Sequence, residues 1–293
     1  MKLIISLLLI IPSLSWGLTF VNGKAIKTEV DVGNENLNFF GTFLKPMISI
    51  PFKSEEGSNK IFQRFKKDGF PVLDGSSSIE FDVNRFDYGC ASAQDKPGPF
   101  FKGKFDYCDE KYGRSRQEIS LHSKRNFGLN GEYVVEWAMF LPKDFKTLTY
   151  GAAHFFQIHS NLKKCSDFSS DEPPGWLSTF TNPSNGKRML MFSYGHSGVR
   201  KNIDMIDNLK GKWTKFKFHI SNKFDNTGFL KFYVNGNQIV NEKNIQTLKN
   251  KCEVTFIKFG IYRHAHQYAY LAGKFDKVPD QKIYIDSIKV YKP

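Results

Sequence analysis

The absences narrow the class first. Beyond residue 17 no apolar run is long enough to span a bilayer. No CxxC pair occurs among the four cysteines, which argues against a zinc site. There is no arginine-rich arm, recognition-helix pattern or zinc-finger spacing, so nucleic acid is a poor candidate partner. Pro- or Ser-rich linkers, low-complexity tracts and repeats are missing, which leaves no internal boundary between domains. Sustained helical periodicity is scarce, which speaks against an α or α/β fold.

What is present begins with Met1–Gly17, which reads as a secretory signal. Lys2 is the basic n-region, Leu3–Leu14 the apolar h-region, and Ser15 and Gly17 the small residues before cleavage. The expected mature protein is residues 18–293, one domain, secreted or periplasmic, monomeric, with no membrane segment left. Removing residues 1–17 removes one lysine and no acid, leaving 41 basic against 29 acidic side chains, a charge of +12. Such an excess draws in anionic partners. For an exported protein, an anionic polysaccharide is the expected one.

In an oxidising compartment Cys90, Cys108, Cys165 and Cys252 imply two disulfides, with three possible connectivities. Cys90 with Cys108 closes the shortest loop and is the preferred pairing, leaving Cys165 with Cys252.

Short alternating runs rich in Phe, Tyr, Val and Ile recur between Gly, Asn, Asp and Pro. Ser78–Val83, Glu132–Leu141, Met189–Tyr194, Phe229–Val234, Gln238–Val240 and Lys282–Tyr291 read as strands. Trp213–Ile220 alternates cleanly, with Thr214, Phe216, Phe218 and Ile220 on one face. Asn235-Gly236 predicts a type I′ hairpin. The pattern predicts an all-β jelly roll, a concanavalin A-like two-sheet sandwich with a concave groove. Asn59–Lys67 is expected as a short helix, and Phe39–Phe52 holds strand-like pieces.

Three strands carry unusual polar faces. In Arg114–His122, residues Arg114, Arg116, Glu118, Ser120 and His122 share a face. Glu118 suits an ion pair, and a spare guanidinium suits a sugar carboxylate. In His154–His159 the two-residue period puts His154, Phe156 and Ile158 on one face and Phe155, Gln157 and His159 on the other. In Ile257–His266 the apolar Ile257, Phe259 and Ile261 oppose Lys258, Gly260, Tyr262, His264 and His266. Gly260 leaves a gap between Lys258 and Tyr262 where a ligand can approach the backbone.

Gln157-Ile-His159 together with Lys258–Arg263 (KFGIYR) resembles the motif pair of β-jelly-roll polysaccharide lyases. Arg114–Ser120 resembles the arginine- and glutamate-bearing strand of the same group. Tyr107-Cys108-Asp109, Gly211-Lys212-Trp213 and Val234-Asn235-Gly236 agree in order and spacing. The heparin-lyase-like family is the nearest resemblance and alginate lyases of the same architecture are more distant. It spans about Gly69 to the C-terminus. Gln117 departs from the pattern, where a small residue is expected, and His264 and His266 add imidazoles to it.

The resemblance implies β-elimination at a uronic acid. A base removes the C5 proton, an acid protonates the 4-linked oxygen, and cations hold the carboxylate as charge develops on it. On this reading His159 is the base and Tyr262 the acid, or Tyr262 does both. Gln157, Lys258 and Arg116 neutralise the carboxylate, while Arg114, Glu118, Arg263 and His264 contact substrate. Glucuronan, alginate, heparin-like glycosaminoglycan and bacterial exopolysaccharide all fit this chemistry. No cofactor is expected. Asp167, Asp171 and Glu172 offer carboxylates to a structural calcium, but without a ligand pattern.

Two rivals remain. A glycoside hydrolase needs two carboxylates flanking one bond, and Glu132 and Glu136 lack the middle Asp of the glucanase E-x-D-x-x-E strand. A non-catalytic, lectin-like module would not require His159, Lys258 and Tyr262 together.

Overall fold

This computed structural model describes short strands within 18–47, then residues 61–84, 114–121, 127–161, 165, 174–181, 185–264 and 278–293. The expectations for residues 1–17 and for Cys90, Cys108, His122, Asp167, Asp171, Glu172 and His266 fall outside the described residues.

Strands dominate. In chain order they are β1 (Leu18–Val21), β2 (Lys24–Lys27), β3 (Glu29–Asp31), β4 (Asn38–Phe40), β5 (Leu44–Met47) and β6 (Ile61–Phe65). Next come β7 (Ser77–Val83), β8 (Ser115–Leu121), β9 (Glu132–Phe140), β10 (Ala153–Asn161), β11 (Gly175–Thr181) and β12 (Arg188–Tyr194). The last six are β13 (Val199–Met205), β14 (Trp213–Ser221), β15 (Gly228–Val234), β16 (Asn237–Ile245), β17 (Val254–Arg263) and β18 (Gln281–Tyr291). Two seven-stranded antiparallel sheets form the sandwich. The front sheet runs β13-β12-β11-β10-β17-β8-β5 and the back sheet β16-β15-β14-β9-β18-β7-β6.

The period of two places the core. Phe216, Phe218 and Ile220 of β14 and Ile257, Phe259 and Ile261 of β17 all point between the sheets and are buried. Trp137 of β9 sits at the centre, its ring stacked on Phe156 of the front sheet at 4.3 Å and on Phe216 of its own sheet at 5.2 Å. Truncating such an anchor costs about 3–5 kcal/mol. Asn235 (φ 49) and Gly236 (φ 85) make the left-handed pair that the β15–β16 hairpin needs.

Within the expected helix at Asn59–Lys67, Ile61–Phe65 form a strand instead. Ile61 is fully buried, β6 pairs with the edge of β7, and only a 3₁₀ turn at Lys66–Asp68 follows. Burying Ile61 against the sheet overrides local helix preference.

Cys165 and Cys252 form a disulfide, with 5.6 Å between Cα atoms. Beside it the buried Glu253 carboxylate accepts from Ser160 Oγ and from His196 Nε2 at 3.0 Å. This ties the end of β10 to the start of β17, the two strands that carry the polar faces.

Candidate active site

β10, β17 and β8 are adjacent, and their registers set the site. Gln157 lies opposite Lys258, His159 opposite Phe256, Gly260 opposite Glu118, and Tyr262 opposite both His154 and Arg116. With Ile257, Phe259 and Ile261 turned into the core, Lys258, Gly260 and Tyr262 face outward.

One hydrogen-bonded line crosses this face. Gln157 Nε2 donates to Glu118 Oε1, and Arg116 donates to Glu118 Oε2 at 3.4 Å. The Arg116 guanidinium lies 4.3 Å from the Tyr262 ring centroid, with that of Arg114 at 6.0 Å. Gln157, Glu118, Lys258 and Tyr262 are all buried. Glu118 therefore holds Gln157 and Arg116 in place, where direct contact with substrate was the expectation.

Gly260 explains how Glu118 reaches so far. Its carboxylate starts on β8 and meets Gln157 on β10, two strands or about 10 Å away. Gly260 on β17 lies between them. A side chain there would block the path, and a Cβ would sit 2.1 Å from the Gln117 carbonyl oxygen of β8. With φ at 138°, the position also disfavours other residues. The gap admits Glu118 and the β8 backbone rather than a ligand.

Two expectations are corrected. The register of β10 shifts between His154 and Phe156, a bulge that sends both Phe155 and Phe156 into the core. His154 thereby joins the face of Gln157 and His159. Arg263 goes the other way. It shares the inward parity of Phe259 and Ile261, is fully buried, and donates to Ser115 Oγ (2.6 Å), the Pro279 carbonyl (2.6 Å) and the Asn84 carbonyl. It fastens strand ends together inside the sandwich.

Of the two β10 imidazoles, the one that faces Tyr262 is thus His154. Their rings stack at 5.6 Å, and His264 packs edge-on against both, at 4.6 Å from Tyr262 and 5.3 Å from His154. Trp176 of β11 closes the group 5.5 Å from His154. Burial, and then the nearby His264 and Arg114, push the His154 pKa down to about 3. Its Nδ1 is buried without a hydrogen-bond partner among the described residues. It is a neutral ring at any ordinary pH.

His159 is held elsewhere. It stands opposite Phe256, five or six residues from the Tyr262 position, roughly 17–20 Å along the sheet. Its ring stacks on Phe256 at 5.1 Å. Its Nδ1 lies 2.9 Å from the Ser160 carbonyl, which places the proton on Nδ1 and makes Nε2 the acceptor. Lys258 lies between, with its ammonium 5.6 Å from the Phe256 ring centroid. Sequence alternation concealed His154. The one available signal was Phe155-Phe156, two consecutive apolar rings that a regular strand cannot both bury.

Among the described residues no three His, Cys, Asp or Glu side chains converge as a metal ion would need. A cationic face with a buried phenol, an amide and a lysine suits stabilisation of a carboxylate while a proton moves.

A family model described as polysaccharide lyase matches residues 54–289. No curated protein matches the chain. Among solved structures, an endo-β-1,4-glucuronan lyase from the fungus Trichoderma reesei superposes with a TM-score of 0.52 at 15% identity, covering 80% of this chain and 89% of that one. A family 7 alginate lyase, A1-II′, in complex with substrate superposes with a TM-score of 0.53 at 12% identity, covering 86% and 94%. At these identities the likeness is one of fold.

Proposed function

The chain belongs to the polysaccharide lyase family, and from that premise we propose that it cleaves a 4-linked, uronate-containing anionic polysaccharide by β-elimination after export from the cell. The observation that carries this reading is Tyr262, buried beneath the Arg116 guanidinium and in line with Gln157 and Lys258.

Tyr262 serves as both base and acid. Its phenolate takes the C5 proton, the C4–O bond breaks as the C4–C5 double bond forms, and the same proton passes to the departing oxygen. Positive charge from Arg116 and Arg114 stabilises the phenolate. Lys258 and Gln157 meet the uronate carboxylate, whose negative charge grows as the proton leaves. The neutral His154 packs the phenol without competing for its charge. His159, far along the face from Tyr262, contacts a sugar several units along the polymer. The separation between His159 and Tyr262 supports this division over a shared proton transfer, since base and acid must both reach one sugar ring.

The test pairs two variants on glucuronan, alginate, heparin and a bacterial exopolysaccharide. Tyr262→Phe abolishes formation of the unsaturated uronate, while His159→Ala mainly raises KM. A His159→Ala variant that binds normally but does not turn over makes His159 the base.

A further inference from the structure

On the opposite side of the sandwich from Tyr262, the outer face of the back sheet holds a cleft of about 730 Å³. That volume lies within the range of ligand sites. Across its floor Lys289 of β18, Glu136 of β9, Lys217 of β14 and Tyr233 of β15 stand in one row of register. Lys217 and Glu136 are ion-paired at 3.2 Å. Lys215 stands two residues along β14, opposite Ala138.

The walls are built into the fold. At one side the amides of Leu73 and Asp74 donate to the Asp286 carboxylate at 2.8 and 3.2 Å, pinning their loop over the sheet. The β18 register then breaks between Asp286 and Lys289, where Ser287 takes a φ of 54°. A left-handed serine is uncommon and persists only where its surroundings hold it. The Gly236 turn bounds the other side.

We propose that this cleft is a second saccharide site, which holds a uronate-containing stretch of the polymer without cleaving it. Lys215 and Lys289 form no ion pair among the described residues and are placed to meet carboxylates of the polymer. Lys217 lies about 7 Å from Lys215 along β14 and about 10 Å from Lys289 across two strands. Charges so spaced match anionic groups repeated along a polymer better than one compact anion. The half-buried Tyr233 supplies a ring for a sugar face, and Glu136 and Ser287 supply partners for hydroxyls. The described lining contains no imidazole, in contrast to the front face. With the chain at +13 overall, approach of a polyanion is favoured on both sides. A second contact raises the affinity for long chains, which engage a tethered second site at high effective concentration.

The choice of a uronan as occupant rests on the lyase reading, but the test reads binding and needs no turnover. The full chain carrying Tyr262→Phe is titrated with long alginate and glucuronan. Hydrogen exchange is followed with their tetrasaccharides. Protection of the Leu73–Asp74 loop and the Tyr233–Gly236 turn is expected, together with the front strands. Adding Lys215→Ala and Lys289→Ala removes that protection and weakens long-chain binding at least about tenfold. A control pair outside the cleft, Lys243→Ala with Lys251→Ala, leaves both readouts as they were. Protection of the front strands alone, equal weakening by the control pair, or no binding of either uronan overturns the proposal. The lyase reading fails on a different result, the absence of unsaturated product from the unaltered protein.

Discussion

The neutral His154 couples the stability of this protein to pH in a way that can be measured without a substrate. The imidazole has an ordinary pKa of 6.5, which burial and the neighbouring His264 and Arg114 lower to about 3. Between those values the unfolded chain binds a proton that the folded protein excludes. Stability is therefore complete above pH 6.5 and declines as the pH falls toward 3. Moving from pH 7 to pH 5 costs about 2 kcal/mol through this one group. Tyr262, His264 and Trp176 surround the ring, so His154→Phe keeps an aromatic body in place and removes the titration. Urea unfolding of both proteins at pH 7 and pH 5 gives the comparison. The wild type should lose about 2 kcal/mol more than His154→Phe. Equal losses would mean that the folded protein protonates His154 near its ordinary pKa, and that the ring is not shut among Tyr262, His264 and Arg114 as described.

If Glu118 acts through Gln157, then Glu118→Gln and Gln157→Ala each lower kcat roughly 100-fold, and the double variant is no worse than Gln157→Ala alone. Additive losses in steady-state kinetics would show Glu118 meeting the substrate itself. Gly260→Ala drives a Cβ into the β8 backbone at a left-handed position and destabilises the fold by at least about 3 kcal/mol, read by denaturant midpoint; a neutral effect there contradicts the close approach of β8. Arg263→Met leaves two carbonyls and Ser115 without their donor, which costs about 3–5 kcal/mol of stability with KM little changed. Unaltered stability with a raised KM would return Arg263 to the substrate.

The sequence carries the fold plainly wherever its alternation is uninterrupted. β14 and β17 bury the residues that the period of two selects, because neither strand loses step with the core there. Arg263 was within reach of the same rule, since counting from Ile261 turns it inward. His154 was not, because a bulge moves it by one face, and bulges answer to packing that strand periodicity does not encode. Gly260 was recognisable as a place of close approach, but the approaching group is a strand and a carboxylate from its own sheet. The β6 segment reads as a helix in sequence although Ile61 takes its conformation from β7, sixteen or more residues on, rather than from its neighbours. Cysteine spacing favoured Cys165 with Cys252, and that bond forms where the end of β10 meets the start of β17.

The central claim is that Tyr262 performs the elimination in a cationic site. Its most direct test is ultraviolet absorbance of the unsaturated uronate, using residues 18–293 with each anionic polysaccharide. Absorbance should rise on one polymer, vanish in Tyr262→Phe while polymer binding persists, and survive at reduced affinity in His159→Ala. Full activity in Tyr262→Phe, or binding of a uronan by the unaltered protein with no unsaturated product, would contradict the account.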